Sequence, residues 1–257
     1  MRHTALFDRV GQEDAPIATF ESEYPQGYVF AEHFHERDQL IYACHGVMTV
    51  TTKQGTWVVP AQRAAWIPAR TPHSVRVSRT MSLRTLYLKP RLARTLPRMC
   101  CVVNVSPLLK ELILHACAFR TLRRDNPAQS HLISVILDLM QQVESIPLQI
   151  PTPADERAKR VAQLLASERA DDRSIDEICK SAGASRRTIE RCFSEETAMS
   201  LGKWRQQLRL LQALQLLADG EKITHVAVCA GYSAPSAFVS AFKRTLGTTP
   251  GRYFAKS

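Results

Sequence analysis

The sequence contains no run of about 18 apolar residues, and no short apolar core follows its first residues. A membrane-spanning helix needs about 20 such residues, and a secretory leader needs a compact apolar core. These absences argue against both kinds of segment. We therefore expect a soluble, cytoplasmic protein.

The seven cysteines include no Cys-x-x-Cys pair, and their number is odd. Several of them fall at apolar positions of segments with helical periodicity. This arrangement does not favour a disulfide framework. It predicts buried free thiols in a reducing compartment, with a redox sensor as the alternative.

Acidic residues are fewer than basic ones. The sequence has 34 Lys and Arg against 24 Asp and Glu, which gives a formal net charge of +10. A basic balance suits a polyanionic partner such as nucleic acid. The excess is shared evenly by the two halves of the chain, so the net charge alone does not locate a binding site.

A repeat near the C-terminus locates it. Residues 174–193 and 222–242 share a short helical segment, an Ala-Gly turn at Gly183 and Gly231, and a second helix with two apolar anchors. This pattern is typical of a helix-turn-helix, whose second helix enters the major groove of DNA. Two such units in one basic chain make DNA recognition the leading hypothesis.

In the first unit, Ser174 and Glu177 have the spacing of a capping box, and Ser185 can cap the second helix. Helical spacing leaves four side chains on the outer face of that helix: Arg186, Arg187, Glu190 and Arg191. Arg can bond guanine through two hydrogen bonds, and Glu can accept one from cytosine. We predict base or phosphate contacts here; a solvated charged face is the alternative.

In the second unit, Pro235 suits the first position of a helix because its missing N–H costs little there. The spacing predicts that Ala237, Phe238, Ala241 and Phe242 are buried. It directs Ser236, Val239, Ser240 and Lys243 outward. Lys243 and Arg244 are expected to hold phosphates, so this helix should contribute affinity more than specificity.

A helix predicted over Ser200–Ala218 joins the two units. Its ~18 residues span roughly 27 Å, which suits two reading helices about one DNA turn (~34 Å) apart. Arg205 and Arg209 on this helix either contact phosphate or are simply solvated.

Residues 155–256 resemble the AraC/XylS family of transcription regulators. The resemblance rests on both units, the connecting helix and the closing motifs Gly231-Tyr232-Ser233, Phe238, Phe242-Lys243-Arg244, Gly247 and Thr249-Pro250-Gly251-Arg252-Tyr253. It implies a seven-helix domain that reads one asymmetric site through two major grooves. By position, it implies base contacts at Arg187, Glu190 and Arg191, and at Ser236, Ala237, Val239 and Ser240.

The segment from Ala15 to Leu88 shows short alternating runs cut by Gly and Pro, which favours an antiparallel barrel or sandwich. Trp57, Trp66 and Tyr42 are expected in its core or in a pocket wall. Helices are predicted over Leu108–Phe119 and Leu132–Val143. They are candidates for a dimer interface; the alternative is that they only cover the barrel.

Three histidines in the β segment form a candidate metal site. Alternation places His33 and His35 on one face of a strand, and His73 from another strand can meet them. Neutral imidazoles at such spacing, with Gln39, suit Zn, Ni, Fe or Mn. Two alternatives stay open: an organic effector bound by the same histidines, or histidines that only pack.

The motif Gly27-x5-His33-x-His35-x3-Gln39-x6-Gly46, followed by Pro68-x4-His73, resembles the cupin superfamily. The chain departs from that pattern at Gln39, where Glu is usual, at Arg70, where Gly is usual, and at Val77, where Asn is usual. A cupin joined to this kind of DNA-binding domain resembles a branch of the AraC group in which the barrel senses and the second domain reads DNA.

The sequence therefore predicts a multidomain α+β protein. The expected domains are a cupin-like barrel over 1–103, a helical segment over 104–146, a Pro-rich linker over 147–154 and a DNA-binding domain over 155–257, with units at 174–195 and 223–245. We expect a one-component repressor or activator with no catalytic residues, a homodimer, and RNA polymerase as a partner if it activates. The alternatives are a cupin-type metal enzyme, or a barrel that serves only oligomerisation.

Overall fold

The protein is described by a computed structural model, which covers residues 14–78, 80–141, 145–146, 148–167 and 174–254. It divides into two compact units: residues 1–52 with 57–148, and residues 53–56 with 149–257. Within the described residues, no helix is both long and apolar enough to cross a membrane.

The first unit is dominated by short strands. Their bounds are β1 Ile17–Tyr24, β2 Val29–His33, β3 Asp38–His45, β4 Val47–Thr52, β5 Gly55–Pro60, β6 Arg63–Ile67, β7 His73–Val77, β8 Met81–Leu88, β9 Cys101–Asn104, β10 Thr121–Leu122, β11 Ser145–Ile146 and, in the second unit, β12 Gln149–Pro151. One sheet has seven strands in the order β10-β1-β8-β3-β6-β9-β11, and a second sheet contains β5, β4, β7 and β2 in this order. The predicted antiparallel β domain is confirmed, with its strands divided between two sheets.

Alternation along β3 and β8 gives the seven-stranded sheet two different apolar faces. In the antiparallel register Gln39 lies opposite Tyr87 and Ile41 opposite Thr85. These residues face the second sheet, whereas Leu40 and its neighbours of alternate parity belong to the core under the helices. Both faces are covered, so the strands read as nearly continuous apolar runs.

Two helices, α1 (Pro107–Cys117) and α2 (Pro127–Gln141), pack on the seven-stranded sheet. The two helices are present as predicted, but only some of their apolar residues are buried. Leu108 is 57% exposed and Val135 42% exposed. The buried residues are Leu109, Ile113, Ala116 and Cys117 on α1 and Ile133, Ile136 and Met140 on α2.

The burial of only some apolar residues on each helix has a physical cause. Each helix has two adjacent rows of apolar residues, and only the row that meets the sheet is buried. Helical periodicity cannot choose between neighbouring rows. Partly buried apolar residues at the margin of this core are Leu112, Phe119, Leu132 and Leu139. The predicted Val143 lies outside the described residues.

The expected aromatic core is confirmed, because Trp57, Trp66 and Tyr42 are buried. Trp66 Nε1 donates to Pro97 O at 2.8 Å, which satisfies its only donor. The seven cysteines are free, as expected, and four are buried. Cys229 is exposed, contrary to the expectation of buried thiols, because it lies on the outer side of a short two-turn helix.

The second unit is helical. Its helices are α3 Glu156–Ala166, α4 Ile175–Ser181, α5 Arg186–Thr197, α6 Leu201–Ala218, α7 Ile223–Cys229, α8 Pro235–Leu246 and α9 Pro250–Tyr253. These seven helices of the described part of the chain agree with the expectation from the family resemblance.

Aromatic pairs hold each half of the second unit to its neighbours. Phe193 of α5 meets Trp204 of α6 edge to face, with ring centroids 5.2 Å apart. Phe242 of α8 meets Tyr253 of α9 at 5.5 Å. Trp204 also donates from Nε1 to Pro151 O at 2.9 Å, so the connecting helix anchors the end of the Pro-rich segment.

Candidate nucleic-acid interface and effector site

The first helix-turn-helix is built as its sequence predicts. Ser174 and Glu177 form a capping box at the start of α4. Gly183 adopts a φ of +80° in the turn, a conformation that Gly takes without steric cost. Ser185 Oγ accepts from Thr188 N at 3.3 Å and caps α5. Local chemistry alone thus fixes the start of the candidate reading helix.

The outer face of α5 carries Arg186, Arg187, Glu190 and Arg191, all exposed. They are not equivalent. Arg186 Nε donates to Glu190 Oε1 at 2.8 Å, and Arg186 Nη1 lies 3.6 Å from Asp176 Oδ2 on α4. Arg187 and Arg191 form no ion pair with another described residue. Two guanidinium groups are therefore exposed without an ion-pair partner among the described residues, while the third links the two helices of the unit.

Sequence reasoning missed Asp176. It is a second acidic residue in the first turn of α4, next to the capping-box Glu177. Acidic residues are common there because they complement the helix dipole, so no sequence signal indicates that one of them reaches α5. Asp176 and Glu190 together raise the pKa of Arg186, with Glu190 contributing most.

In the second unit, Pro235 occupies the first turn of α8, and Phe238, Ala241 and Phe242 are buried as predicted. Ala237 is exposed, which corrects the expectation that it is buried. It lies just before the buried Phe238, on the side of α8 that the core does not reach. Ser236, Ser240, Lys243 and Arg244 are exposed, and Val239 is half-buried.

Arg205 and Arg209 of α6 are half-buried. Burial lowers the pKa of Arg205, and the neighbouring Arg209 lowers it further. The Arg209 guanidinium lies against Gly231, the turn glycine of the second unit.

The three predicted histidines of the first unit come together. His33 and His73 are paired residues of β2 and β7. His35 follows the end of β2, so it reaches the group from a bend rather than from the strand. One ligand nitrogen from each residue can be chosen so that all three lie within 4.8 Å of one another. Small side-chain rotations would bring them to the ~3.4 Å separation that metal–nitrogen bonds of ~2.1 Å require.

Backbone carbonyls orient two of the rings. Nδ1 of His33 lies 2.7 Å from Ala31 O, and Nδ1 of His73 lies 2.9 Å from Thr71 O. A carbonyl oxygen only accepts, so each Nδ1 carries the proton and each Nε2 keeps its lone pair. This is the arrangement found in metal-ligating histidines.

Burial keeps His35 and His73 neutral. It lowers the pKa of His35 to about 3, with smaller contributions from the positive forms of His33 and His73. It lowers the pKa of His73 to about 4, against the opposing effect of the bond to Thr71. Metal ligands must be deprotonated, so the neutral forms of His35 and His73 suit a metal ion near pH 7.

Gln39 completes the donor set. Its side chain is 3% exposed, and Nε2 donates to Tyr87 Oη at 3.2 Å. Among the described residues, Gln39 Oε1 and His73 Nε2 are buried with no hydrogen-bond partner. Buried polar atoms normally have partners, so these atoms fit a ligand that the site would hold.

A small cavity lies between the two sheets beside the histidines. It is lined by Phe30, His33, Gln39, Ile41, His73, Val75, Leu83 and Thr85. Its volume is about 20 Å³. This is room for an ion or about one water molecule. Thr85 was missed because a single Thr in an apolar strand is usually packing.

The departures from the cupin pattern have visible consequences. Arg70 adopts a φ of +62°, the left-handed conformation that the usual Gly would take more easily. Its side chain pairs with the exposed Glu36 at 2.8 Å. Val77 is fully buried. Glu32 is exposed as well, so no carboxylate lines the cavity within the described residues.

Comparisons with known proteins identify a ligand-binding region and a helix-turn-helix region in this chain. Residues 17–171 match the model of the AraC-like ligand binding domain, and residues 178–256 match a helix-turn-helix domain model. The HTH-type transcriptional regulator NimR of Escherichia coli (strain K12) is 36% identical over 224 residues, which covers 87% of this chain and 82% of NimR. The regulator RipA of Corynebacterium glutamicum is 39% identical over 40% of this chain and 31% of its own length.

Among solved structures, ToxT from Vibrio cholerae strain SCE256 with a bound unsaturated fatty acid is 12% identical. The match covers 94% of this chain and 95% of that chain, with a TM-score of 0.38.

Proposed function

Because this chain belongs to the AraC family of transcription regulators, we propose that its two reading helices bind an operator and that its histidine cluster senses a divalent transition metal ion. The protein is a regulator with a ligand-binding domain and a helix-turn-helix domain. Its relatives are transcription regulators, so the enzyme alternative is set aside.

The proposed DNA interface consists of the exposed residues of α5 and α8. On α5 it comprises Arg187 and Arg191, together with Glu190 and its ion-pair partner Arg186. On α8 it comprises Ser236, Ala237, Val239, Ser240, Lys243 and Arg244. The exposure of these side chains on the second helix of each unit supports this assignment. The proposed DNA-binding domain spans residues 155–257.

The metal proposal rests on one observation: three histidine nitrogens within 4.8 Å, two of them oriented by backbone carbonyls, beside a buried amide oxygen with no partner. The ligands would be His33, His35, His73 and Gln39. Zn, Ni, Fe and Mn all accept such nitrogen and oxygen donors. A metal ion held by these residues would place a fixed positive charge among His33, His35, His73 and Gln39.

An organic effector held by the same histidines is the second candidate. The cavity of about 20 Å³ favours an ion over an organic molecule, since drug-sized ligands occupy some 300–1,000 Å³. A barrel that serves only oligomerisation is the third candidate. It predicts that replacing all three histidines leaves regulation unchanged.

We further propose a homodimer through the exposed apolar residues Leu108 on α1 and Val135 on α2, which the sheet does not cover. Metal binding would shift the domain or dimer arrangement, and a coupling of ~1–3 kcal/mol is enough to alter operator affinity. If the protein activates transcription, RNA polymerase is a further partner.

The test begins with the metal content of untagged protein, measured by elemental mass spectrometry. We expect about one equivalent in the wild type and in His131→Ala, which changes an exposed histidine of α2, and loss in His35→Ala. Operator binding is then titrated with and without that metal. No metal after reconstitution of the wild type would overturn the metal proposal and favour an organic effector.

A further inference from the structure

The first turn of α5 carries two positive charges and no negative one. Arg186 and Arg187 directly follow the cap Ser185, and no acidic residue lies in this turn. The helix dipole favours acidic groups at the N-terminal end of a helix and disfavours cations there. Arg187 belongs to the proposed DNA contacts and is exposed. Arg186 differs from it, because two carboxylates hold its guanidinium group.

Arg186 lies between Glu190 on its own helix and Asp176 on α4. Its Nε donates to Glu190 Oε1 at 2.8 Å, and its Nη1 lies 3.6 Å from Asp176 Oδ2. Among the described residues, the second oxygen of Glu190, Oε2, accepts no hydrogen bond. One guanidinium group therefore bridges the two helices of the motif and leaves an oxygen of Glu190 for another donor.

A carboxylate on a DNA-reading face is repelled by the phosphates of DNA. If Glu190 accepts a hydrogen bond from the N4 amino group of cytosine, its charge needs a nearby cation and its side chain needs a fixed position. The hydrogen bond from Arg186 supplies both. A phosphate also attracts an exposed arginine, however. The carboxylate of Asp176 opposes that movement, because it attracts the same guanidinium group towards α4.

We propose that Asp176 is a positioning residue for base recognition: it holds Arg186 on Glu190 and thereby keeps the Glu190 carboxylate in place for a cytosine amino group. Asp176 itself does not touch DNA in this arrangement. The inference rests on the proposed DNA interface. Exposed ion pairs add little to folding stability, so the expected effect is on recognition rather than on the fold.

The test measures the base preference of the full-length protein. An operator is selected from a random duplex library, and binding to all its single-base variants is compared. Glu190→Gln identifies the base pair that Glu190 reads, where the preference should fall about tenfold. The isosteric Asp176→Asn should lower the preference at that base pair about threefold, the effect of losing one exposed ion pair. The base pair affected by Arg191→Ala should keep its preference. Asp176→Glu retains the charge and should restore most of the loss.

The salt dependence of binding gives a readout that a purely structural role would not change. In Asp176→Asn a phosphate attracts the released Arg186, so the slope of log affinity against log salt should steepen by about one. In an Arg186→Ala background, Asp176→Asn should have no further effect on slope or preference. Glu195→Gln is the matched control: it removes an exposed acid of α5 that pairs with no described residue, and its base preferences should equal those of the wild type.

The possible failures can be told apart. If the wild type selects no operator, the proposed DNA-binding function fails and this inference falls with it. If an operator is found but Glu190→Gln leaves every preference unchanged, Glu190 reads no base and the positioning role is overturned. A uniform change of affinity in Asp176→Asn, with no loss at the Glu190 base pair, also overturns it, while the DNA-binding function stands.

Discussion

Arg209 of α6 lies directly against Gly231 in the turn of the second helix-turn-helix. A Cβ on Gly231 would be 2.5 Å from Arg209 Nη1 and 2.9 Å from Cζ. Gly231 also has a φ of +78°. The Arg209 guanidinium group of α6 therefore occupies the space that a side chain on Gly231 would need.

We predict that Gly231→Ala displaces the Arg209 guanidinium group and therefore loosens α7 and α8 slightly more than Gly183→Ala loosens α4 and α5. Both glycines have a positive φ, which costs other residues ~1 kcal/mol or more, but no atom lies within 4 Å of a Cβ at Gly183. Hydrogen exchange in the full-length protein measures each local stability. In an Arg209→Ala background the extra cost at Gly231 should vanish; an undiminished cost would contradict this effect of Arg209.

Arg191→Ala should weaken operator binding by ~1–3 kcal/mol and relax the preference at one base pair. Arg191 is exposed on α5 and forms no ion pair with another described residue, so its guanidinium group is available to a base. Arg160→Ala is the matched control, since Arg160 is exposed on α3, outside both helix-turn-helix motifs. Binding to a library of single-base operator variants is the measurement. An Arg191→Ala profile identical to that of the wild type would contradict the assignment of this face of α5 to base contacts.

Lys243→Ala should behave differently from Arg191→Ala. Lys243 lies in the last turns of α8, where a phosphate contact is expected, so affinity should fall similarly for all sequences. The slope of log affinity against log salt should decrease by about one. A loss confined to one base pair, with the slope unchanged, would instead assign Lys243 to base readout.

Gln39→Glu should raise metal affinity by about tenfold or more, because a carboxylate is a stronger ligand for a divalent ion than a neutral amide. Without metal the same change should lower the melting temperature, since it buries a charge with no cationic partner in the cavity. Gln39→Leu is the control: it should bind metal more weakly, but it should not lower the melting temperature through a buried charge. Competition with a chelator measures the affinity, and a variant that binds no tighter than the wild type contradicts the role of Gln39.

The metal-free protein should lose stability as pH falls from about 6.5 towards 4. In the unfolded chain His73 takes up a proton near pH 6.5, but in the fold its pKa is about 4 because the ring is buried. The unfolded state thus binds more protons in this window, and the free energy of unfolding decreases. The contribution of His73 is up to about 3 kcal/mol.

Urea unfolding at several pH values measures this effect. His73→Asn should reduce the pH dependence between 6.5 and 4 without abolishing it, because the buried His35, with a pKa of about 3, contributes in the same window. His131→Asn, at an exposed position, is the control. Equal slopes in His73→Asn and the wild type would mean that His73 does not titrate as its burial requires.

The helix-turn-helix units were predictable because their signals are local. The capping box at Ser174, the turn at Gly183, the cap at Ser185 and the buried anchors Ile189 and Phe193 all act within a few residues. Such signals depend on helix geometry, which is the same in any context. The proximity of His33, His35 and His73 was also predictable. Their spacing resembles the cupin motifs, and this resemblance implies that the strands carrying them are neighbours.

The burial of α1 and α2 was not predictable to the residue. Leu108 and Leu109 are equally apolar, and only the sheet decides which of them is covered. Ala237 was placed in the core for the same reason. A periodic pattern identifies a helix, but the rotation of that helix against its neighbour depends on residues far away in the chain.

The sequence by itself determined the α+β organisation, the two reading helices and the histidine cluster, because each follows from short-range spacing. Only the tertiary structure placed Asp176 beside Arg186, Arg209 against Gly231, and Thr85 at a cavity with Gln39 and His73. These relationships join separate helices or strands. Their existence depends on how the elements pack, which no local pattern encodes.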